Sequence, residues 1–247
     1  MANIIKIDNA DLKRFKRAES KRRKQDIRNK IAYFLIVCEG TKTEPNYFKS
    51  FKKDVRSYVC EADIEGKGES TIKLVTSCIK IREQKEKVGK KYDRVWVVFD
   101  RDSFEPVQFN NAITMAEANG IRAAWSNEAF ELWYLLHFDK LENGMSRKDY
   151  KAKLEEKINA RIAEIRKKKK KKPNFKYKKN DPNMYAIIGE YGDQEQAIKR
   201  AKDLLKIHQG TQYHTHNPCT KVYLLIEELN GNSEELKREI EQKSMEE

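Results

Sequence analysis

Two mainly apolar segments of this chain each run directly into acidic residues, and this pattern limits the folds that the sequence can adopt. The first covers residues 31–38 and precedes Glu39; the second covers residues 94–99 and precedes Asp100 and Asp102. Neither alternates apolar with polar residues, which is typical of strands buried on both faces in a parallel sheet. Ligands of such sheets bind beyond the carboxyl ends of the strands, where the strand order reverses. We therefore expect the three acids to meet at one edge.

Three neighbouring carboxylates repel one another unless a hard cation binds among them. The Asp100-x-Asp102 spacing alone is a weak signal, but Glu39 at the end of a second buried strand strengthens it. We predict that these three acids bind Mg2+ (or Mn2+) and act in catalysis. The alternatives are a solvated loop acid for Glu39 and a helix or turn cap for Asp102.

A fourth acid, Glu131, lies in an otherwise apolar helix predicted over residues 128–138. A carboxylate in such a helix has to be paired, ligated or directed into a polar cleft. The alternative is an exposed position in the first turn, where the helix macrodipole favours acid. We predict that Glu131 joins the catalytic metal site, with Ser126 or Asn127 capping the helix.

Strand and helix patterns alternate from residue 31 to about residue 140. The predicted strands cover residues 31–38, 58–64, 94–99 and 121–125. The helices after them are predicted to begin near residues 43, 71, 107 and 128. This order favours an α/β fold with a mostly parallel, doubly wound, Rossmann-like sheet flanked by helices.

The pattern changes beyond residue 140, where strand signals fade and a helical C-terminal addition is predicted. Its predicted helices cover about residues 147–170, 193–208 and 220–229. Residues 173–192 are predicted to be irregular because proline and glycine interrupt them.

The composition divides the chain into four parts. Residues 1–30 form a basic N-terminal arm, which either docks on phosphates or is a solvated tail. Residues 31–140 form the predicted catalytic core, and residues 141–230 the helical part with a lysine run. Residues 231–247 form a charged terminal helix or tail.

The formal net charge of +13 favours a polyanionic partner, and we expect nucleic acid. The simpler interpretation is a protein with many solvated lysine and glutamate helix faces. We predict phosphate contacts from the turn after Glu39 and from basic residues elsewhere. These candidates are Gly40, Thr41, Lys42, Thr43, Arg101, Lys170 and Lys221. The alternatives are an ordinary strand–helix turn at residues 40–43 and a salt bridge pointing away from the site for Arg101.

The four cysteines form no CxxC pair, which argues against a zinc ribbon and a dithiol redox site. The sequence shows no signal peptide and no apolar run near 18 residues in length. We therefore expect a cytoplasmic protein that is not inserted in a membrane.

Four sequence blocks resemble the RloB-like family. They are CEGTKTEPNYF at residues 38–48, VFDRD at 98–102, SNEAFELWYLLHF at 126–138 and NPCTKVYLLIEEL at 217–229. One departure is Glu128, where the family often has proline; this alters a helix start and little of the chemistry.

The resemblance implies a Toprim-like fold, as in topoisomerases, primases and OLD-type nucleases. In Toprim sites the acid after the first strand and a later DxD bind Mg2+, which implies that role for Glu39, Asp100 and Asp102. A further acid joins them in OLD-type nucleases, and Glu131 is its match here. RloB-like genes occur with restriction or abortive-infection loci, often beside an ATPase partner, which implies phage defence.

These features predict a metal-dependent nuclease that cuts RNA, such as tRNA, or DNA. One alternative is a non-catalytic nucleic-acid-binding subunit that triggers a partner ATPase. Another is a Toprim nucleotidyl transferase or RNA-processing enzyme. The choice between RNA and DNA and the formation of a homo-oligomer stay open.

Overall fold

The computed structural model describes residues 32–54, 60–102, 104–165 and 174–246. The basic arm of residues 1–30 and the lysine run of residues 167–172, including Lys170, lie outside the described residues.

The described part of the chain forms a five-stranded sheet in the order β2-β1-β3-β4-β5. The strands are β1 (Ala32–Cys38), β2 (Cys60–Gly66), β3 (Arg94–Asp100), β4 (Arg122–Asn127) and β5 (Cys219–Thr220). The first four strands are parallel, and β5 pairs antiparallel with β4. All seven residues of β3 are buried, as expected for a strand covered on both faces.

Helices cover both faces of the sheet and form the C-terminal part. Four helices follow the first four strands: α1 (Thr43–Asp54), α2 (Thr71–Lys87), α3 (Pro106–Ala118) and α4 (Glu131–Leu136). The later helices are α5 (Arg147–Ile165), α6 (Met184–Tyr191), α7 (Gln194–Ile207), α8 (Val222–Leu229) and α9 (Glu234–Glu246). The prediction of a mostly parallel α/β sheet with a helical C-terminal addition is confirmed. In the described ranges, no helix combines the length and apolar character needed to span a membrane.

Alternate residues of β1 face two separate hydrophobic cores. Phe34 packs in the core formed with α1, α4 and the C-terminal helices. Leu35 packs in the core formed with α2 and α3, beside Leu74 and Phe109. The two-residue period of a strand therefore explains how one apolar segment supports helices on both faces.

The prediction that residues 173–192 are irregular is wrong for Met184–Tyr191, which forms α6. Its buried residues Met184, Ile188 and Tyr191 follow helical spacing. Pro182 and Gly192 lie just outside its ends, and Gly189 lies within the helix without interrupting it.

The predicted start of the helix at residue 220 is also wrong, because Cys219–Thr220 forms β5 and α8 begins at Val222. The hydroxyls of Thr220 and Ser126 lie 2.9 Å apart, which joins this short strand to β4.

A buried ion-pair network fastens α8 and α9 to the sheet. The carboxylate of Glu228 accepts hydrogen bonds from Arg94 Nε at 2.9 Å and from Trp96 Nε1 at 2.8 Å. Glu228 is 3 % exposed, so its charge depends on these partners. Arg94 also pairs with Glu239 of α9. The network therefore ties the C-terminal helices to the start of β3.

We expect Glu228→Ala to lower the free energy of unfolding by about 3–5 kcal/mol, because it removes the buried acidic partner of the Arg94 guanidinium and leaves Trp96 Nε1 without its acceptor. Urea unfolding measures this loss. Glu227→Ala is the control, because Glu227 pairs with the partly exposed Lys202 and should contribute less than about 1 kcal/mol. Equal small losses in both variants would contradict this account of the network.

Candidate functional site

The strand order reverses between β1 and β3, and this position brings Glu39 and Asp100 together. The chain leaves β1 towards β2 on one side and leaves β3 towards β4 on the other, which opens a crevice at their carboxyl ends. The backbone N–H of Glu39 donates to Val98 O at 2.8 Å. The Oε2 atom of Glu39 accepts from the backbone N–H of Asp100 at 3.1 Å.

Asp102 joins this pair through a turn with unusual backbone geometry. Its φ angle is +42°, in the left-handed region that aspartate adopts more readily than most residues. The backbone N–H of Asp102 donates to Glu128 O at 3.1 Å, which holds the turn. The turn directs the Asp102 carboxylate towards the same basic residue that contacts Asp100.

That basic residue is Arg147, the first residue of α5, which sequence reasoning missed. Its Nη1 donates to Asp102 Oδ2 at 2.8 Å, and its Nη2 donates to Asp100 Oδ2 at 3.2 Å. One guanidinium therefore bridges both members of the Asp-x-Asp motif. No local pattern signals this role, because 45 residues separate Arg147 from Asp102.

Glu44 is a second site residue that sequence reasoning missed. The sequence places it only in the first turn of the helix predicted to begin near residue 43, where acids are common. In the structure it is 6 % exposed, and its Oε2 has no hydrogen-bond partner among the described residues. A Cβ atom at Gly40 would lie 2.1 Å from that oxygen. Gly40 therefore leaves room for the Glu44 carboxylate in this position, and a larger residue would displace it.

Glu131 lies deeper than the other acids. It is 4 % exposed, and its Oε1 accepts a hydrogen bond from the Tyr177 hydroxyl at 2.8 Å. It does not line the open cleft, although its charge acts on Asp100 and Glu44. Of the two interpretations of Glu131, the exposed first-turn position is wrong, because this side chain is buried.

The acidic residues line a cleft of about 540 Å³, which we call the acidic cleft. Its walls include Glu39, Glu44, Asp100, Asp102, Arg147 and all four predicted phosphate-binding residues of the turn, Gly40, Thr41, Lys42 and Thr43. Lys179 and Asn180 complete the opposite wall. The hydroxyl of Thr43 donates to Lys179 O at 2.7 Å, which ties that wall to the start of α1.

Two predicted phosphate-binding residues lie away from the acidic cleft. The Nη1 of Arg101 donates to the carbonyl oxygen of Asp102 at 3.2 Å. The Nζ of Lys221 lies 5.8 Å from the ring centre of Trp125 and 5.1 Å from that of Tyr213. These contacts are cation–π interactions that hold the ammonium group beside the aromatic rings.

Burial and mutual repulsion disfavour ionisation of the clustered acids. Burial raises the pKa of Asp100 well above its usual range, and the charges of Glu44 and Glu131 raise it further. Burial also raises the pKa of Glu44, with an added contribution from Glu131. The pKa of Glu39 rises to about 7 through burial; the hydrogen bond from the backbone of Asp100 opposes this shift, and the charge of Glu44 adds to it. The cluster therefore has a strong preference for added positive charge.

The donor atoms suit a hard divalent cation, although they do not surround a common point. Among the described residues, no group of three or more His, Cys, Asp or Glu side chains forms a ready-made ligand set. Arg147 contacts one oxygen of each aspartate. Asp100 Oδ1 and Glu44 Oε2 are buried without a described hydrogen-bond partner. Carboxylate oxygens in this condition are the ligands that Mg2+ prefers.

The raised pKa of Glu39 predicts that the metal-free protein loses stability as pH rises. Between about pH 4.5 and pH 7 the folded state binds more protons at Glu39 than the unfolded state, so ionisation favours unfolding. Across this window the free energy of unfolding of the wild type should fall by about 2 kcal/mol more than that of Glu39→Gln, after allowance for partial exposure of the group. Urea unfolding in EDTA at several pH values measures the difference. Parallel pH profiles for the two proteins would contradict it.

Comparison with protein families gives a match over most of the chain. The model of the RloB-like protein family matches residues 34–229, a region that includes both strand-end acid motifs and Arg147. Searches of curated proteins and of solved structures found no match. Because the matched region exceeds half of the chain, the chain belongs to the RloB-like family.

Proposed function

We propose that this protein is a metal-dependent nuclease of phage defence. The observation that carries the proposal is the cluster of five carboxylates at the switch point of the sheet, where one guanidinium forms the only two described ion pairs. The five acids are Glu39, Glu44, Asp100, Asp102 and Glu131. Glu44, Asp100 and Glu131 are buried, and a protein rarely buries several acids together without a ligand that uses them.

The proposed Mg2+ or Mn2+ ligands are Glu39, Asp100 and Asp102, with Glu44 and Glu131 supporting the site. When bound, such an ion stabilises the negative charge that develops on a phosphodiester during hydrolysis.

Glu39 could also act as a general acid or base. A carboxyl group whose pKa is about 7 can accept or donate a proton near neutral pH.

A basic segment supports nucleic acid as the substrate. We call residues 174–180 the basic strap. The segment contacts α5 at Phe175 and reaches the wall of the acidic cleft at Lys179 and Asn180. The Oδ1 atom of Asn159 accepts a hydrogen bond from the backbone N–H of Phe175 at 2.7 Å, and its Nδ2 donates one to the carbonyl oxygen of Phe175 at 3.0 Å. Lys178 and Lys179 are exposed, while Tyr177 between Lys176 and Lys178 is buried. The strap therefore places Lys179 in the wall of the acidic cleft, with Lys178 exposed next to it in the chain. Exposed ammonium groups of this kind suit contacts to a phosphate backbone. Contacts of this type serve RNA and DNA alike.

The role in phage defence and the ATPase partner rest on the association of RloB-like genes with defence loci. A nuclease with this role would act in the cytoplasm on RNA, such as tRNA, or on DNA. We therefore propose that the partner controls cleavage, and activity has to be tested with and without it.

Asp100→Asn is expected to reduce cleavage at least about 100-fold, because it removes a central charge from the proposed metal site. The purified protein is incubated with RNA and with DNA, with Mg2+ or Mn2+, alone and with the ATPase partner. Asp203→Asn is the control, because Asp203 pairs with Lys206 on the surface of α7 and should leave cleavage unchanged. Lack of cleavage by the wild type in every combination would overturn the proposal.

The second candidate function is a nucleic-acid-binding subunit that triggers the partner ATPase, and the basic strap is the observation that favours it. This function needs Lys178 and Lys179 but does not need the acids. Phage protection by the native operon separates the two functions. Asp100→Asn should abolish protection by a nuclease and preserve protection by a binding subunit.

A further inference from the structure

The guanidinium of Arg147 lies in the acidic cleft at the position where we propose that a metal cation binds. It contacts Asp100 Oδ2 and Asp102 Oδ2 at the same time, so its charge lies between the two aspartates. Among the described residues, it is the only basic side chain that forms an ion pair with any acid of the cleft. A divalent ion bound by the same two carboxylates would lie beside the Arg147 guanidinium, whose charge would oppose its binding.

The contacts of Arg147 are incomplete. Its Nε is buried and has no described hydrogen-bond partner. On the acid side, Asp100 Oδ1 also lacks a partner. A fixed structural pair would be expected to satisfy these atoms, because buried polar groups without partners are costly. The pair between Arg147 and the aspartates therefore leaves donor and acceptor capacity unused on both sides.

The backbone at Arg147 is held firmly, whereas its side chain is partly exposed. The next turns of α5 are anchored by Tyr150 and Leu154, which are fully buried. The hydroxyl of Ser146 donates to Asp149 Oδ2 at 2.6 Å at the start of the helix. The Arg147 side chain itself is 32 % exposed and lines the cleft. A movement of the guanidinium towards the cleft opening would therefore require changes in the side-chain torsions and not a shift of the helix.

We propose that Arg147 and a divalent cation exchange at the Asp100–Asp102 pair. Without metal, the guanidinium neutralises the two aspartates and holds the cleft together. Metal binding displaces the guanidinium, which then turns to the cleft opening and binds a phosphate group of the substrate. Arginine suits both positions, because its planar donors match a carboxylate pair and a phosphate equally well. This inference rests on the proposed metal site.

The test measures Mn2+ binding to the full-length protein by calorimetry and by electron paramagnetic resonance. The variants are Arg147→Gln, Asp100→Asn and Lys148→Gln, a neighbour that is exposed on the same helix. Arg147→Gln should bind Mn2+ about tenfold more tightly or better, because it removes a competing charge about 3 Å from the ligands. Lys148→Gln should change the affinity by less than about twofold, since an exposed charge is screened.

A second measurement uses the wild type alone and does not depend on the folding of a variant. Phenylglyoxal modifies accessible arginines, and mass spectrometry reads each site. Saturating Mg2+ should speed modification of Arg147 several-fold. It should leave Arg161 unchanged, because Arg161 pairs with Glu164 on the exposed face of the same helix.

The outcomes separate this inference from the proposed function. If the wild type binds no Mn2+, or if Asp100→Asn binds it equally well, the proposed metal site and the exchange both fail. If the wild type binds Mn2+ and Asp100→Asn does not, the metal site holds. Unchanged affinity in Arg147→Gln, or unchanged modification of Arg147 in the wild type with Mg2+, would then overturn the exchange alone.

Discussion

Repulsion among carboxylates at the carboxyl ends of β1 and β3 is the constraint on which the rest of this structure depends. Parallel strands bring their ends to one edge, so Glu39 and Asp100 become neighbours through the fold itself. Burial then strengthens every charge interaction in the cluster. The fold consequently needs positive charge at this edge, and Arg147 supplies it.

This requirement explains why the C-terminal addition is joined so closely to the sheet. The sheet supplies acids, whereas the helical part supplies Arg147, the Tyr177 hydroxyl and the wall at Lys179. The ion pair between Arg94 and Glu228 fastens the last helices to β3, the same strand that ends at Asp100. The site is therefore a product of both parts of the chain.

The sheet and the central acids could be predicted from the sequence because their signals are local. An apolar segment that ends in acid identifies both a buried strand and the position of the acid. Burial of Glu131 followed from a single acid among apolar helix residues. In each case the neighbouring residues contain the information that sets the position.

Arg147 and Glu44 could not be identified in the same way. An arginine at a helix start has no local feature that indicates a partner 45 residues away. An acid in a first turn is ordinary, and only tertiary packing shows that Glu44 turns inward over Gly40. The helix Met184–Tyr191 was missed because glycine and proline near its ends outweighed its apolar spacing.

The most direct test of the central claim is a crystal structure of the protein with Mn2+, with the ion located by its anomalous scattering. We expect an anomalous peak among the carboxylates of Glu39, Asp100 and Asp102, with the guanidinium of Arg147 moved away from the two aspartates. A saturated crystal with no peak in the acidic cleft, and with Arg147 still bridging the aspartates, would contradict the account.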